Sequence, residues 1–492
     1  MKVYSVNKGI GYASSGIEYA QKYRKNLFNT FEVDDYYIFL DYIFRNITVY
    51  TDLMGYQTKK VVWIYNFLSQ RNAEKSTFTV TDFIKEFSEN PEVIKRDEKN
   101  IEIKVSPTQR YRIWLLESDI IDRVDYIVNN VLVSVRHYDQ SLNNIEEYHQ
   151  GKLVKRVFFN LEGQKSYEQF YDNNGEITVT FIDNHILYGK LEFYQYFFKR
   201  LDLKREDAVI IDRPLEVVEG ILPVLVNKVR LFSVVHAEHY NENLSKGEHI
   251  LWNNNYEYVF EHADAFESMI VSTERQNQIL KSQLKRKVEI VTIPVGYINK
   301  ISRKKTYKPF SLITASRLAP EKHIDVLIKA AVLAKKTVPQ LTLDIYGEGS
   351  GRIELEKIIK EHGASNYIRL QGHQDLDEIY SRYSGYVSAS TSEGFGLSLL
   401  EALGAGLPLI GVDVEYGNRE FIDNGENGIL YNKTELKKMP ETLALAIEQF
   451  FEKKLDEKGR AVSKQKAKSY LKENVAQMWQ VLLEREVKID GN

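Results

Sequence analysis

The sequence predicts an α/β protein made of two Rossmann-like domains that face a cleft, with a β-rich antiparallel insertion in the N-terminal domain. Three observations support this prediction. Short apolar strands alternate with helical segments near the start of the chain and again in its second half, which is typical of parallel, doubly wound sheets. Between them, from about Arg71 to Leu201, β-forming runs are separated by Asn, Asp, Gln and Gly, which indicates an antiparallel meander. At 492 residues the chain is too long for a single core.

The first domain begins as a βα unit. Strand Lys2–Asn7 leads into a glycine-containing loop, and a helix follows from about Ile17 to Phe28. The other strands of this domain are expected on both sides of the insertion, at Tyr36–Leu40, Val61–Tyr65, Ala208–Ile211, Leu231–His236, Met269–Ser272 and Glu289–Pro294. Inside the insertion, β-forming residues cluster at Tyr126–Val135, Arg156–Phe159 and Thr178–Ile182.

The second domain starts after a lysine-rich link, Ser302–Lys308. Its elements are expected at strand Phe310–Ala315, helix Ile324–Ala334, strands Thr342–Tyr346, Ile368–Leu370, Tyr386–Ala389 and Pro408–Val412, and helices Pro440–Phe451 and Lys468–Glu486. We therefore predict an N-terminal domain at 1–70 and 206–302, an insertion at 71–205, a second domain at 303–470 and a closing helix at 471–492 that packs back across the domains.

The composition excludes several classes of protein. The absence of cysteine excludes disulfides and thiol chemistry. A net charge of -3 gives no global attraction to nucleic acid, so no nucleic-acid partner is expected. There is no apolar run long enough to cross a bilayer and no signal-peptide pattern at the start, so we expect a cytoplasmic protein. The basic segment Lys464–Lys472 could make a peripheral contact with the inner face of the membrane, although a solvated helix face is the simpler explanation.

The most informative motif is a short strand, a glycine-broken loop and a helix between residues 386 and 406. The amides of Phe395, Gly396 and Leu397 are expected at the helix N-terminus, where unpaired N–H groups attract phosphate. Gly394 and Gly396 would let the backbone approach a ligand without a side chain in the way.

Two carboxylates flank this helix start. Glu393 precedes it and Glu401 lies on it, and each can accept hydrogen bonds from sugar hydroxyls. The alternative is one exposed loop carboxylate and one acid on a helix surface, which is what most Glu residues are. Because the helix is otherwise apolar, the pattern favours a nucleotide-sugar site.

A second candidate is the pair Arg317 and Lys322, in the loop after strand Phe310–Ala315. In open α/β sheets ligands bind beyond the carboxyl ends of the strands, so both cations are expected to point into the cleft. A fixed Arg–Lys pair can neutralise the charge that grows on a departing nucleoside diphosphate without a metal ion. A solvated basic loop is the alternative for this pair taken alone.

Weaker candidates lie in other loops that follow strands. His236 and His239 could contact a transferred sugar, or they could be satisfied histidines at a strand end; a metal site is not expected, because no further histidine cluster and no cysteine completes a ligand set. The other donor-binding candidates, whose glycines also serve as ordinary sharp turns, are Gly9, Gly11, Ser15, Gly16, Tyr346, Gly347 and His373.

As a set, four motifs of the second domain resemble those of retaining glycosyltransferases of family four, which have the GT-B fold. The motifs are Ser316-Arg-Leu-x-x-Glu-Lys322, Tyr346-Gly-Glu-Gly349, Glu393-Gly-Phe-Gly-Leu-x-x-x-Glu401 and Glu420-Phe-Ile-x-Asn-Gly-x-Asn-Gly428. The resemblance implies that Arg317 and Lys322 bind the donor diphosphate, that Glu393 lies beside the donor sugar and that Glu401 holds the ribose. It also implies that amides around Gly11 and Gly16 complete the phosphate site.

The N-terminal half narrows the resemblance to the GtfA group of accessory-Sec glycosyltransferases. It carries the segments Gly9-Ile-Gly-Tyr-Ala-Ser-Ser-Gly-Ile-Glu-Tyr-Ala20, Val62-Trp-Ile-Tyr-Asn66 and Val235-His-Ala-Glu-His239, besides the insertion. This resemblance implies metal-independent transfer of N-acetylglucosamine (GlcNAc) from UDP-GlcNAc to Ser and Thr hydroxyls of a serine-rich repeat adhesin. It further implies a non-catalytic homologous partner, GtfB, with the insertion binding acceptor or partner.

Three alternatives stay open at the level of sequence. The donor could be UDP-glucose, and the acceptor could be poly-ribitol-phosphate wall teichoic acid, since its glycosyltransferases share this layout. A catalytically silent binding homologue is the third, although such a protein has no need of the diphosphate-binding residues Arg317 and Lys322. No residue decides the donor sugar.

Overall fold

The computed structural model describes residues 1–11, 16–88, 91–242, 244–247, 249–304 and 306–485. Its strands are β1 Lys2–Asn7, β2 Asp34–Phe39, β3 Val61–Trp63, β4 Glu92–Arg96, β5 Asn100–Lys104, β6 Gln109–Glu117, β7 Ile120–Val128, β8 Val131–Tyr138, β9 Leu142–His149, β10 Lys152–Phe159, β11 Lys165–Tyr171, β12 Ile177–Ile182, β13 His185–Tyr188, β14 Ala208–Ile211, β15 Arg230–Val235, β16 Ser268–Val271, β17 Glu289–Thr292, β18 Ser311–Ala315, β19 Thr342–Tyr346, β20 Ile368–Gly372, β21 Gly385–Val387, β22 Leu409–Val412 and β23 Gly428–Tyr431.

Helices connect most of the parallel strands. They are α1 Gly16–Phe28, α2 Thr48–Leu53, α3 Ile64–Leu68, α4 Val80–Ile84, α5 Gly189–Arg200, α6 Val217–Leu225, α7 Glu257–Glu261, α8 Glu274–Gln283, α9 Ile324–Ala334, α10 Arg352–Glu361, α11 Leu397–Gly404, α12 Gly417–Phe421, α13 Met439–Glu452, α14 Leu455–Ala467 and α15 Lys472–Leu483. None of the helices in the described part of the chain combines the length and the apolar composition that a membrane crossing needs.

The chain forms two compact units. The first consists of Met1–Glu18, Val33–Ser233 and Asn254–Glu267, and the second of Tyr19–Glu32, Val234–Asn253 and Ser268–Asn492. In the first unit, five parallel strands lie in the order β15-β14-β1-β2-β3. The same unit holds a ten-stranded sheet in which β4 to β13 follow one another in chain order, each antiparallel to the next.

The second unit contains the parallel pair β16 and β17 and a six-stranded parallel sheet in the order β20-β19-β18-β21-β22-β23. Two apolar clusters pack on this sheet. One joins α9 and α13 to strand residues such as Leu343 and Ile410, and the other joins α11 to the rings of Phe395, Phe421 and Tyr470. Because helices cover a parallel sheet of this kind on its faces, its polar loops collect at the strand ends.

Several predicted elements are confirmed to the residue, including β1, β14, α9 and β19. The predicted run Tyr126–Val135 is wrong as one strand, because Asn129 and Asn130 both adopt positive φ angles and form the turn between β7 and β8. The predicted last helix also differs: α14 precedes it, α15 starts only at Lys472, and Glu486 lies outside the described residues. The predicted domain boundaries stay predictions.

A buried arginine ties the antiparallel sheet of the first unit together. The Arg71 guanidinium pairs with the Asp139 carboxylate, and the Arg71 side chain is only 1% exposed. It also donates to the backbone carbonyls of Phe159, Leu142 and Asn160 at 2.7 to 2.8 Å. One side chain therefore satisfies acceptors at two separate turns of the sheet, the β8–β9 turn and the β10–β11 turn.

We predict that Arg71→Ala lowers the free energy of unfolding by about 3 to 5 kcal/mol, because it leaves the buried Asp139 carboxylate without its cationic partner and removes the donor that Arg71 supplies to three backbone carbonyls. Thermal unfolding followed by circular dichroism measures the change. Lys75→Ala is the matched control, since Lys75 pairs with Asp52 on the surface, where ion pairs contribute about 0 to 1 kcal/mol. Equal stability of the two variants contradicts the role given to Arg71.

Candidate active site

The loops that follow β18 and β21 bring a cation and a carboxylate together. Lys322 closes a short 3-10 turn, Pro320–Lys322, before α9, and Glu393 lies between β21 and α11. The Lys322 Nζ atom donates to Glu393 Oε1 at 2.5 Å, although the two residues are 71 positions apart. Both side chains are largely buried, at 22% and 16% exposure, so this ion pair is far less screened than a surface pair.

Arg317 has a different environment from Lys322. Its side chain is 64% exposed and pairs with Glu321, four residues later, at 3.0 Å. The two cations of the predicted pair thus lie in one loop but have different carboxylate partners. An exposed arginine of this kind can turn toward an anion at little cost, because a surface ion pair contributes little.

The glycines of the segment after β19 allow that loop to pack against the Arg317 loop. A Cβ atom at Gly347 would lie 1.9 Å from the Ser316 carbonyl oxygen, and one at Gly349 would lie 2.6 Å from that of Leu318. The backbone N–H of Leu318 donates to the Glu348 carbonyl at 3.0 Å. These glycines therefore have a packing reason that is independent of any ligand.

A backbone contact also joins the loop after β19 to the end of β20. The Gly347 N–H donates to the Gly372 carbonyl at 2.8 Å, next to the exposed His373. The Tyr346 ring points the other way, into the core, where its hydroxyl lies 3.0 Å from that of Tyr383. Tyr346 and Gly347 could therefore contact a donor only through their backbone atoms. Donor contacts of Tyr346, Gly347 and His373 stay predictions.

The loop around Glu393 forms the predicted helix start. Gly396 adopts a φ angle of 86° and caps α11, whose first residue is Leu397. The Phe395 ring is buried against Phe421, with ring centroids 5.0 Å apart. The amides at 395 to 397 therefore stand at a helix N-terminus, as the motif predicts, while the Phe395 side chain belongs to the core.

Tight backbone contacts hold this loop from two sides. A Cβ atom at Gly394 would lie 2.3 Å from the His236 carbonyl oxygen, so the loop touches the turn that carries both histidines. On the other side, the Glu393 carbonyl accepts the backbone N–H groups of Tyr416 and Gly417 at 2.9 and 3.0 Å. Sequence reasoning missed Tyr416 and Gly417; the only signal was a glycine shortly after the apolar strand β22.

The two histidines differ in their surroundings. His239 is completely buried, and its ring nitrogens lie near Gln283 Oε1 at 2.9 Å and the Tyr416 hydroxyl at 3.0 Å. Burial lowers the pKa of His239 to about 4, so its ring is neutral at physiological pH. His236 is only partly buried and adjoins Gly394 through its backbone. The geometry favours His236 over His239 as a group that can reach a ligand.

Glu401 lies one turn into α11 and faces tyrosines. Its carboxylate accepts from the hydroxyls of Tyr380 at 3.0 Å and Tyr23 at 3.4 Å. Burial raises the pKa of Glu401 to about 7, an effect that these two donors only partly offset. The carboxylate also lines a cavity of about 1370 Å³ whose other walls include Lys300 and Lys464. Its predicted contact with ribose stays a prediction.

The remaining candidates belong to the first unit. Gly9 follows β1, and a Cβ atom there would come within 3.9 Å of the Asp41 Cβ atom, an ordinary contact. Gly11 and Gly16 are exposed, and Gly16 is the first residue of α1. Ser15 lies outside the described residues. A donor-binding role of these four residues stays a prediction.

Comparison with known proteins places this arrangement in a family. Residues 298–469 match the family model "Glycosyl transferases group 1". The UDP-N-acetylglucosamine–peptide N-acetylglucosaminyltransferase GtfA subunit of Streptococcus pneumoniae serotype 4 is 38% identical over 98% of this chain and 99% of its own length. The chain belongs to the GtfA family of glycosyltransferases.

Solved structures of GtfA proteins match along the whole chain. The crystal structure of the pneumococcal O-GlcNAc transferase GtfA in complex with UDP and GlcNAc has a TM-score of 0.89 and 37% identity, with 98% of each chain covered. A GtfA/B complex matches with a TM-score of 0.92 and 36% identity, over 98% of this chain and 99% of that one. These matches confirm the predicted family, glycosyltransferase activity and GT-B fold class.

We predict that the buried Glu401 carboxyl makes stability fall as the pH rises. Its pKa is about 7 in the folded chain against an ordinary 4.5, so between these values the folded state holds a proton that the unfolded state has lost. The resulting stabilisation is fully present below pH 4.5 and is lost as the pH rises through 7, a change on the order of 3 kcal/mol.

Chemical denaturation of the unmodified protein and of Glu401→Gln at several pH values between 4.5 and 8 measures this effect. The free energy of unfolding of the unmodified protein should decline relative to that of the variant across this window. The exposed Glu348→Gln serves as the control for loss of a surface carboxylate. Parallel curves for the unmodified protein and Glu401→Gln contradict the prediction.

Proposed function

We propose that this chain transfers GlcNAc from UDP-GlcNAc to Ser and Thr hydroxyls of a serine-rich repeat adhesin, with retention of configuration at the anomeric carbon. The observation that carries the proposal is the ion pair of Lys322 with Glu393, beside the N-terminus of α11. The relatives' name and the UDP- and GlcNAc-bound GtfA structure support UDP-GlcNAc as the donor and a peptide as the acceptor.

The proposed chemistry is front-face transfer. The bond between the anomeric carbon and the UDP oxygen breaks, while the acceptor hydroxyl forms a bond to the same carbon from the same face. The hydroxyl passes its proton to the departing phosphate. Arg317, Lys322 and the amides at the start of α11 would stabilise the negative charge that develops on that phosphate.

Each charged side chain has a defined part in this proposal. A diphosphate next to Lys322 would accept hydrogen bonds from the ammonium group that is now paired with Glu393. The backbone contacts of Glu393 would then orient its carboxylate toward a sugar hydroxyl. Arg317 would leave Glu321 for the phosphate. His236 is proposed to contact the sugar. Metal independence is also part of the proposal, since two cations and helix-end amides are available for the charge.

The partner and the location complete the proposal. We infer that the chain works with a non-catalytic GtfB-type homologue, which the relatives' designation as a subunit and the matching GtfA/B complex support. We place it in the cytoplasm, with a peripheral contact at the inner face of the membrane through the basic segment 464–472. In that segment Lys466 pairs with Asp423 at 2.7 Å, which leaves less charge for a lipid surface than the sequence alone suggests.

Lys322→Ala and Glu393→Gln should each lower kcat by about 100- to 1000-fold, because each removes a charged group from the reacting centre. Initial rates of UDP release at saturating donor and acceptor measure the loss. Lys329→Ala is the matched control: Lys329 is the next lysine along the chain, on α9, and pairs with Asp325 on the surface. Near-normal turnover of either active-site variant would show that its proposed role is wrong.

Donor and acceptor are identified together by mass spectrometry of a Ser/Thr-rich peptide incubated with the protein, its partner and each of several UDP-sugars. We expect the increment of one N-acetylhexosamine, located on Ser or Thr by fragmentation, with unchanged yield in EDTA. A hexose increment would instead identify UDP-glucose as the donor. Transfer only to poly-ribitol phosphate would overturn the proposed acceptor, and loss of activity in EDTA would overturn metal independence.

A further inference from the structure

A buried chain of hydrogen bonds runs from α8 through His239 to the Glu393 loop. Gln283, at the end of α8, presents its carboxamide oxygen to His239 Nε2 at 2.9 Å. Because that oxygen can only accept, Nε2 carries the imidazole proton. The other nitrogen, Nδ1, therefore accepts from the Tyr416 hydroxyl at 3.0 Å. Both polar atoms of the ring are used inside the protein.

Tyr416 connects this histidine to the backbone of Glu393. Its side chain is buried, and its ring stacks on the His239 ring with centroids 5.6 Å apart. At its other end, the Tyr416 backbone N–H donates to the Glu393 carbonyl at 2.9 Å. Tyr416 is therefore the single residue that links the His239 ring to the backbone of the Glu393 loop.

The turn that carries the histidines also touches the same loop directly. A Cβ atom at Gly394 would lie only 2.3 Å from the His236 carbonyl oxygen, so no side chain fits between the two backbones. The Gln276 side chain donates to the Ala237 carbonyl at 2.9 Å and fixes the middle of the turn. The direct contact at Gly394 and the indirect contact through Tyr416 form a closed ring that joins residues 236–239, 393–394 and 416.

We propose that His239 is a positioning residue, which holds the Glu393 loop in register with His236 through Tyr416, rather than a group that contacts the donor sugar. The inference rests on the proposed function, because it concerns the placement of two groups that we assign to the donor sugar. It replaces the donor-contact role that the sequence suggests for His239.

The first test separates positioning from sugar contact by steady-state kinetics. His239→Ala and Tyr416→Phe should each lower kcat roughly 10- to 100-fold with little change in KM for UDP-GlcNAc, because a small misplacement of reacting groups costs rate. The double variant should lose no more than the worse single variant, since both changes break one connection. A raised KM in His239→Ala, with normal kinetics for Tyr416→Phe, would overturn the proposal.

Conservative replacements sharpen this test. The carbonyl oxygen of Asn can take the place of Nδ1 and accept from the Tyr416 hydroxyl, whereas Gln mimics the Nε2 side of the ring. His239→Asn should therefore recover more of kcat than His239→Gln. The opposite order would point to Gln283 rather than Tyr416 as the important partner and would contradict the proposed connection.

A second readout does not depend on activity. Hydrogen exchange should be faster at the backbone amides of residues 394–397 and 416–417 in both His239→Ala and Tyr416→Phe than in the unmodified protein. Circular dichroism checks that each variant is folded. If His239→Ala does not fold, Tyr416→Phe, which removes only a hydroxyl group, provides the test. Unchanged exchange in a folded variant overturns the positioning role. If the unmodified protein transferred no sugar, the proposed function would fail, while the exchange data would still decide this inference.

Discussion

Close backbone packing at residues 393–395 constrains the rest of this end of the second unit's sheet. The His236 carbonyl occupies the space of a Gly394 side chain, and the Phe395 carbonyl lies 2.0 Å from where a Cβ of Gly417 would stand. Three chain segments meet there without side chains between them. That packing sets the backbone position of Glu393, whose carboxylate pairs with Lys322, and the position at which α11 starts.

Glycine in these loops has two physical causes that the sequence cannot separate. A glycine near a phosphate site lets the backbone approach a ligand, and a glycine between two strands' loops lets two backbones approach each other. At Gly394, Gly347 and Gly417 the structure gives the second cause, since each faces a carbonyl of a neighbouring loop. These contacts fix the loops before any ligand binds, which is the preorganisation that electrostatic catalysis needs.

Much of the fold could be predicted because its strands are short, apolar and bounded by polar loops. β14 and β19 are such strands, and their limits were predicted to the residue. The turn at Asn129 and Asn130 was missed because its neighbours are β-formers on both sides, although an asparagine pair is itself a turn signal and both residues adopt positive φ angles. The sequence placed Lys322 and Glu393 at one site but could not give their ion pair, which depends on the packing of loops 71 residues apart.

The roles of His239 and Glu401 show where motif reasoning stops. Both lie in motifs that indicate a donor site, yet burial gives His239 two internal partners and gives Glu401 two tyrosine donors. A motif reports which residue types recur together, and only packing decides whether a polar atom faces ligand or protein. The protein contacts of His239 and Glu401 therefore have to be known before their predicted contacts with the donor can be judged, and those contacts stay predictions.

The most direct test of this account is a crystal structure of the protein with UDP bound. We expect a phosphate oxygen within hydrogen-bond distance of Lys322 Nζ and of an amide at residues 395–397, with the loop at 393–396 unchanged. A diphosphate bound away from Lys322 and α11, or a Glu393 loop rebuilt around the nucleotide, would contradict it.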